Sequence, residues 1–181
     1  MSSWRQADER NRKISCVIPC RNHRKHLGML LPQISDMLTE SGLQWEVLLI
    51  DAASDDGTVF LLRRWCEGTG FRMAASSAPI HRAEAIVTGL TASRGDVTIV
   101  IDANARYRMS LLRQAITRWK AGAQVVFATH EDGDRIVVPE HESMGACKFP
   151  ADVIDTCDFG EAVGGFVLLD KCIVRRLLDG E

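Results

Sequence analysis

Two aspartates stand directly after short apolar runs that are typical of buried strands. Asp51 follows residues 45–50 (WEVLLI), and Asp102 follows residues 97–101 (VTIVI). Asn104 comes two positions after Asp102, so oxygen-bearing side chains flank a single intervening residue. Such oxygens can hold one hard cation, Mg2+ or Mn2+, which would neutralise charge on a departing diphosphate. Asp102 and Asn104 are therefore candidate metal ligands.

Each of these side chains also has a purely structural interpretation. Asp102 would cap the turn after its strand, and Asn104 would help to shape that turn. Asp51 could hydrogen-bond a nucleotide base or sugar, or it could accept backbone N–H groups in the turn that follows. Asp55 and Asp56 are more typical of helix caps than of ligands. The local sequence leaves these alternatives open.

Basic residues and histidines follow the first predicted strand. Arg21, Arg24 and Lys25 could contact phosphate groups or could form a solvated surface, and the sequence leaves both interpretations open. His23 and His26 are three residues apart and could touch one metal ion. No third ligand lies nearby in sequence, so a metal site there is disfavoured.

Several classes of protein are disfavoured by what the chain lacks. There is no G-x-S-x-G, no G-x-G-x-x-G after the first strand and no Walker P-loop, which argues against serine hydrolases, dinucleotide dehydrogenases and P-loop kinases. The net charge of −2 provides no broad basic surface for nucleic acid. The six cysteines form no C-x-x-C pair, and we interpret them as reduced thiols.

The elements that must position these residues alternate between strand and helix. Apolar runs predict strands at residues 14–19, 45–50, 71–75, 97–101, 125–128 and 163–169, and helical spacing of apolar residues predicts a helix after most of them. This alternation predicts an α/β fold with a mainly parallel, Rossmann-like sheet and helices on both faces. Ligands bind beyond the carboxyl ends of such strands, so we expect Asp51 and Asp102 to face one cleft.

The chain of 181 residues has the size of one domain. We expect residues 1–13 to be a flexible tail and residues 14–181 to form a single domain, in which residues 129–160 carry the least pattern. The polar N-terminus lacks the apolar core of a signal peptide, and no apolar run approaches the roughly 20 residues that span a bilayer. The sequence therefore predicts a cytoplasmic protein.

Several segments resemble the family 2 glycosyltransferases, in particular the polyprenol-phosphate sugar transferases. They are ISCVIPCRN, WEVLLIDAASDDGT and SRGDVTIVIDANA, with AVGGFVLLDKCIV resembling the family's acceptor-side segment. The resemblance implies a GT-A fold that binds a nucleotide diphosphate sugar with Mg2+ or Mn2+ and inverts the anomeric centre in one displacement. It also implies an acceptor such as a polyprenyl phosphate at the cytosolic face of the membrane.

The resemblance assigns roles to five residues. Pro19 and Arg21 would line the nucleotide pocket, with Arg21 assisting at the phosphates. Asp51 would be the first carboxylate of an Asp-Asp-Gly-Ser motif that binds the nucleotide. Asp102 would be the first carboxylate of an Asp-x-Asp motif, and so the principal catalytic and metal-binding residue, with Asn104 as an auxiliary ligand.

Other positions depart from the family's pattern. The second aspartate of the first motif is Ala52 and its glycine is Ala53, so base recognition must weaken, because a methyl group accepts no hydrogen bond. Asn104 carries no charge, so metal affinity should fall. Residues 78–81 replace the family's Asn-x-Gly-Lys without its lysine, and residues 165–167 (GFV) replace Asp-Phe-Arg.

Two functional hypotheses follow from these departures. The first is a divergent glycosyltransferase with a weakened metal site, working as a homo-oligomer or with a partner subunit. The second is a GT-A-fold scaffold that has lost catalysis and supports a partner glycosyltransferase. The losses all fall on one predicted cleft, whereas the apolar periodicity of the core is intact. Metal-dependent binding of a nucleotide would distinguish the two.

Overall fold

The computed structural model describes residues 11–104, 109–129, 135–137 and 165–180. Within these ranges strands and helices alternate as the apolar periodicity predicts. The strands are β1 Lys13–Cys20, β2 Gln44–Asp51, β3 Phe71–Ala75, β4 Val97–Ile101, β5 Val125–Thr129, β6 Arg135–Val137 and β7 Phe166–Asp170. The helices are α1 Arg24–Glu40, α2 Thr58–Cys66, α3 Arg82–Ala92, α4 Met109–Lys120 and α5 Lys171–Asp179.

These strands join one sheet in the order β3-β2-β1-β4-β7-β5-β6. β1 lies between β2 and β4 and is parallel to both, and β3 is parallel to β2. β7 runs antiparallel to its neighbours β4 and β5, and β6 runs antiparallel to β5. β1 to β5 therefore all run in one direction, which confirms the predicted mainly parallel, Rossmann-like sheet.

The sheet separates two apolar cores, because successive strand residues point to opposite faces. Cys16 and Ile18 of β1 belong to the core beneath α1, α2 and α4, whereas Val17 belongs to the core beneath α3 and α5. All three side chains are buried, which explains why β1 reads as a nearly continuous apolar run. Helices on both faces of the sheet were predicted and are confirmed.

Two details of the sheet differ from the predictions. β7 begins at Phe166 rather than at residue 163, and β6 was not predicted at all, since a strand of three residues shows too little alternation to be recognised. Residues 1–10 and most of 129–160 lie outside the described residues, so the predicted tail and the single-domain boundaries stay predictions. No helix in the described ranges has the length and apolarity needed to cross a bilayer.

Gly89 allows α3 to lie directly on β1. A Cβ atom at this position would stand 2.2 Å from Cγ1 of Val17, far inside van der Waals contact. The helix therefore packs closer to the sheet than any residue with a side chain would permit. This close packing sets the position of the first turn of α3, which faces the carboxyl ends of the strands.

A buried carboxylate, Glu46, joins several elements at the opposite, amino-terminal edge of the strands. It accepts hydrogen bonds from the Ser15 hydroxyl at 2.7 Å and the Arg94 backbone N–H at 2.8 Å. It also pairs with Arg72 at 3.0 Å and Lys13 at 3.2 Å. Burial raises the pKa of Glu46, but these hydrogen bonds outweigh burial and hold the pKa below its usual value.

We expect Gly89→Ala to lower the free energy of unfolding by about 1–3 kcal/mol, because the new methyl group must push α3 away from β1. Gly28→Ala is the matched control, since Gly28 lies in α1 and a Cβ there meets nothing within 4 Å. That variant should gain roughly 0.5–1 kcal/mol. Urea denaturation measures both, and equal effects of the two substitutions would contradict the tight contact.

We expect the buried Glu46 carboxylate to contribute to the dependence of stability on pH. Its pKa is lower in the folded chain, so its contribution is present above the unfolded pKa of 4.5 and is lost as pH falls through the folded value. Glu46→Gln should lower the free energy of unfolding at neutral pH by about 1–3 kcal/mol. The deficit should shrink as the pH falls below 4.5 and the carboxylate takes up a proton. A deficit that stays constant in urea denaturation across this range would contradict the assignment.

Candidate functional site

The carboxyl ends of β2 and β4 lie at the same edge of the sheet. β1 separates the two strands, with Cys20 opposite Asp51 on one side and Val17 opposite Val100 on the other. Asp51 is the last residue of β2, and Asp102 is the first residue after β4. Both aspartates therefore emerge where ligands bind to sheets of this kind, as the sequence predicts.

Asp51 is buried and holds the loop that follows β2. Its Oδ2 accepts the backbone N–H of Ser54 at 3.0 Å, and its Oδ1 accepts the Ser54 hydroxyl at 2.5 Å. Both oxygens are thus engaged within the turn, which is the structural role that the sequence had left open. The role of Asp51 in nucleotide binding stays a prediction.

The loop after β2 is also tied to the loop after β1. The backbone N–H of Asn22 donates to Ser54 Oγ at 2.9 Å, and Asn22 Oδ1 accepts the N–H of Asp55 at 2.9 Å. Asp56 Oδ2 accepts the N–H of Arg24 at 3.1 Å. These bonds assign Asn22 and Asp56 to joining the two loops at the edge of the sheet.

Ala53 adopts a left-handed backbone conformation, with φ of 58°. This is the position at which the family resemblance places a glycine, and only glycine adopts such a φ without steric cost. The loop thus has a backbone conformation that favours glycine although an alanine stands there, at a cost of roughly 1–2 kcal/mol. The hydrogen bonds around Asp51 and Asn22 overcome that cost.

A cleft of about 300 Å³ opens between this edge of the sheet and the first turn of α3. The predicted nucleotide-pocket residues Pro19 and Arg21 both line it, together with Cys20, His23, Ala52, Ile80, His81, Arg82 and Ala85. Among the described residues, this lining contains two arginines and two histidines and no carboxylate. It is suited to an anion, because guanidinium groups form strong, charge-assisted hydrogen bonds with phosphate.

A larger cavity, of about 600 Å³, lies at the opposite edge of the sheet. It is lined by residues at the amino-terminal ends of the parallel strands, including Arg12 and Asp96, and by Trp119 and Asp170. Trp119 Nε1 donates to Asp170 Oδ2 at 2.8 Å there. None of the predicted site residues lines this cavity, and the carboxyl ends of the parallel strands face away from it. We therefore place the site in the smaller cleft.

Asp102 is 8% exposed, and both of its carboxylate oxygens have partners. Oδ1 accepts the backbone N–H of Asn104 at 2.8 Å. Oδ2 lies 3.2 Å from Nη2 of Arg82. Asp102 thus shapes its own turn and forms an ion pair with the first residue of α3.

Arg82 is the functional candidate that the sequence analysis missed. It directly follows residues 78–81, the segment in which the family's lysine was sought and not found. The available signal was a basic residue one position beyond that segment, at the start of a predicted helix. Its position beside Asp102 depends on how closely α3 packs on β1. The spacing of residues along the sequence does not predict that packing distance.

His23 adds a polar side chain to the cleft that is mainly neutral at pH 7. Burial lowers the pKa of His23, and the charges of His26 and Arg82 lower it further, although Asp102 and Asp56 oppose these effects. The rings of His23 and His26 meet edge to face with centroids 6.2 Å apart. A neutral imidazole can donate one hydrogen bond and accept another.

The residues around Asp102 fit a divalent cation poorly. One oxygen of Asp102 faces a guanidinium, and Asn104 is exposed and uncharged. Across the described ranges, no group of three His, Cys, Asp or Glu side chains is placed to hold a metal. Mg2+ requires near-octahedral coordination by oxygen atoms. The metal-binding roles of Asp102 and Asn104 therefore stay predictions.

Sequence comparison relates the chain to known proteins. Residues 15–171 match the family model described as Glycosyl transferase family 2. An undecaprenyl-phosphate 4-deoxy-4-formamido-L-arabinose transferase of Klebsiella pneumoniae is 28% identical over 93% of this chain and 50% of its own length. A dolichol-phosphate mannosyltransferase of Pyrococcus furiosus is 24% identical over 65% of this chain and 33% of its own length. The chain thus spans a third to a half of these relatives.

Solved structures of glycosyltransferases share the fold. A mannosyltransferase from Pyrobaculum calidifontis, solved with GDP-Man and Mn2+, has a TM-score of 0.64 at 17% identity and covers 92% of this chain and 47% of its own. Glucosyl-3-phosphoglycerate synthase from Mycobacterium tuberculosis, solved with Mn2+, UDP and phosphoglyceric acid, has a TM-score of 0.58 at 19% identity and covers 91% and 57%. The predicted GT-A fold is confirmed. Because the family match runs from β1 to the start of α5 and this fold agrees with it, the chain belongs to glycosyl transferase family 2.

Proposed function

We propose that this chain transfers a sugar from a nucleotide diphosphate sugar to an acceptor, with the diphosphate bound in the cleft beside α3. The observation that carries the proposal is the lining of that cleft, in which Arg21, His23, His81 and Arg82 converge at the carboxyl ends of the strands. The N-terminus of α3 opens onto the same space, and its positive end favours anions. The ligands of the two solved relatives, GDP-Man and UDP, have the same diphosphate chemistry.

The proposed reaction is an inverting displacement at the anomeric carbon. An acceptor oxygen forms a bond to that carbon while the bond from the carbon to the diphosphate breaks, and the nucleoside diphosphate leaves with the electron pair. Positive charge held at the diphosphate stabilises the transition state. Arg21 and Arg82 supply such charge among the described residues that line the cleft. A bound Mg2+ or Mn2+ at Asp102 would add charge, but the poor donor set described above predicts a weak site.

We propose a lipid phosphate, such as a polyprenyl phosphate, as the acceptor, with the protein acting peripherally at the cytoplasmic face of a membrane. Two relatives carry undecaprenyl phosphate and dolichol phosphate in their names. A phosphate acceptor is already anionic at neutral pH, so its oxygen attacks without a general base. This chemistry agrees with a cleft whose described lining contains no carboxylate. A homo-oligomer or a partner subunit stays a prediction.

A second function is favoured by a specific observation. The oxygens of Asp51 and Asp102 all have partners within the protein, and Ala52 presents a methyl group to the cleft. A site of this kind would suit a GT-A-fold scaffold that no longer binds a donor and supports a partner glycosyltransferase. The two functions differ in whether the cleft binds a nucleotide.

We expect at least one of UDP, GDP, CDP and TDP to raise the melting temperature of the protein. Binding at a hundredfold excess over the dissociation constant stabilises the folded state by about 2.7 kcal/mol. Arg21→Ala should weaken the binding of that nucleotide by about tenfold or more, because one charge-assisted hydrogen bond is lost. Thermal shift and calorimetry measure the two effects.

Arg118→Ala is the matched control for this experiment. Arg118 is exposed on α4 and does not line the cleft, so its removal should leave nucleotide affinity unchanged. A wild-type protein that responds to none of the four nucleotides, with or without Mn2+, would identify the scaffold instead of the transferase.

A further inference from the structure

The ion pair between Arg82 and Asp102 lies where a bound cation would be expected. The Arg82 side chain is 30% exposed and that of Asp102 is 11% exposed. The Nε and Nη2 atoms of Arg82 are shielded from solvent. Shielded charges interact more strongly than surface charges, because less water screens them. The ion pair is therefore a shielded interaction within the folded cleft rather than a contact between two surface charges.

We propose that the guanidinium of Arg82 takes the place of a divalent cation, so that this chain binds nucleoside diphosphates without metal. The inference rests on the proposed function, because it concerns the same cleft. Arg82 lines that cleft and touches Asp102 at its edge. A guanidinium carries five N–H donors in one plane, so it can bind a carboxylate and a phosphate oxygen together.

The balance of charge supports this assignment. An Asp-x-Asp pair would present two negative charges to a divalent cation, whereas Asp102 and Asn104 present one. The positive charge of Arg82 already neutralises that one. A divalent cation at Asp102 would therefore have to displace the guanidinium or lie a few ångströms from it, where like charges repel. The arrangement therefore disfavours a divalent cation at Asp102 and places a guanidinium there instead.

Asp102 becomes a positioning residue in this scheme. Its Oδ2 holds the Arg82 guanidinium, while its Oδ1 is fixed by the backbone N–H of Asn104. The backbone of Arg82 is positioned by α3. The close contact of this helix with β1 at Gly89 leaves no space for the helix to move towards the sheet. The guanidinium is thus held in place before any ligand arrives, which reduces the entropy lost on binding.

Calorimetry with UDP, GDP, CDP and TDP tests the proposal directly. The wild-type protein should bind its preferred nucleotide as tightly in EDTA as in MnCl2, within about twofold. Arg82→Gln should weaken binding by about tenfold or more. Arg82→Lys keeps the charge and should recover part of the loss, and Arg118→Gln should have no effect. Unchanged circular dichroism spectra establish that the variants fold.

Mn2+ alone provides a second test that needs no nucleotide. In an electron paramagnetic resonance titration, the wild-type protein should bind Mn2+ no more tightly than Asp102→Asn does. Arg82→Gln should bind it more tightly, because the Asp102 carboxylate loses its competing cation. Tighter binding by the wild-type protein than by Asp102→Asn would overturn the proposal.

The outcomes separate the two proposals. Nucleotide binding that requires Mn2+ would overturn the metal-free assignment while leaving the transferase proposal intact. Equal nucleotide affinity of Arg82→Gln and the wild-type protein would do the same. Absence of binding to all four nucleotides under both conditions would overturn the transferase and the metal-free assignment together. The comparison of EDTA with MnCl2 uses the wild-type chain alone, so it decides the question even if Arg82→Gln does not fold.

Discussion

The parallel pairing of β1 with β2 on one side and β4 on the other determines the geometry of the whole site. Because β1 is buried on both faces and central to the parallel strands, it holds the carboxyl ends of its two neighbours at one edge. Asp51 and Asp102, fifty-one positions apart in the chain, both emerge at that edge for this reason. The loops, the cleft and the first turn of α3 are all arranged around this edge.

Chemistry at this edge is set by a balance between structural and ligand-binding roles. Asp51 uses both oxygens to hold the Ala53 turn, and Asp102 uses its two oxygens to hold Asn104 and Arg82. The carboxylates thus organise the cleft, while the cationic side chains face its interior. We propose that a site built in this way recognises a diphosphate by fixed positive charge. The family's fold is retained, although Ala52 and Asn104 stand where the family pattern has aspartates.

Much of the fold could be predicted from the sequence because buried positions are occupied by apolar residues, and the spacing of those residues differs between strands and helices. β3 and β4 have the predicted bounds, since each is a short apolar run between turn residues. β6 was not predicted because three residues are too few to show a periodic pattern. The antiparallel direction of β7 was not predicted because an apolar run does not indicate the direction of its strand in the sheet. Pro19, near the end of β1, and Arg21, just after it, both line the cleft, and their role in a nucleotide pocket stays a prediction.

The sequence by itself determined the alternation of strand and helix, the helices on both faces of the sheet and the two strand-terminal aspartates, because each follows from local apolar spacing. Only the tertiary structure decided what those aspartates touch. The Arg82–Asp102 pair joins a helix start to a strand end twenty positions away, and its distance depends on the packing of Gly89 against Val17. Such contacts depend on how elements pack in three dimensions, and periodicity along the chain carries no information about that packing.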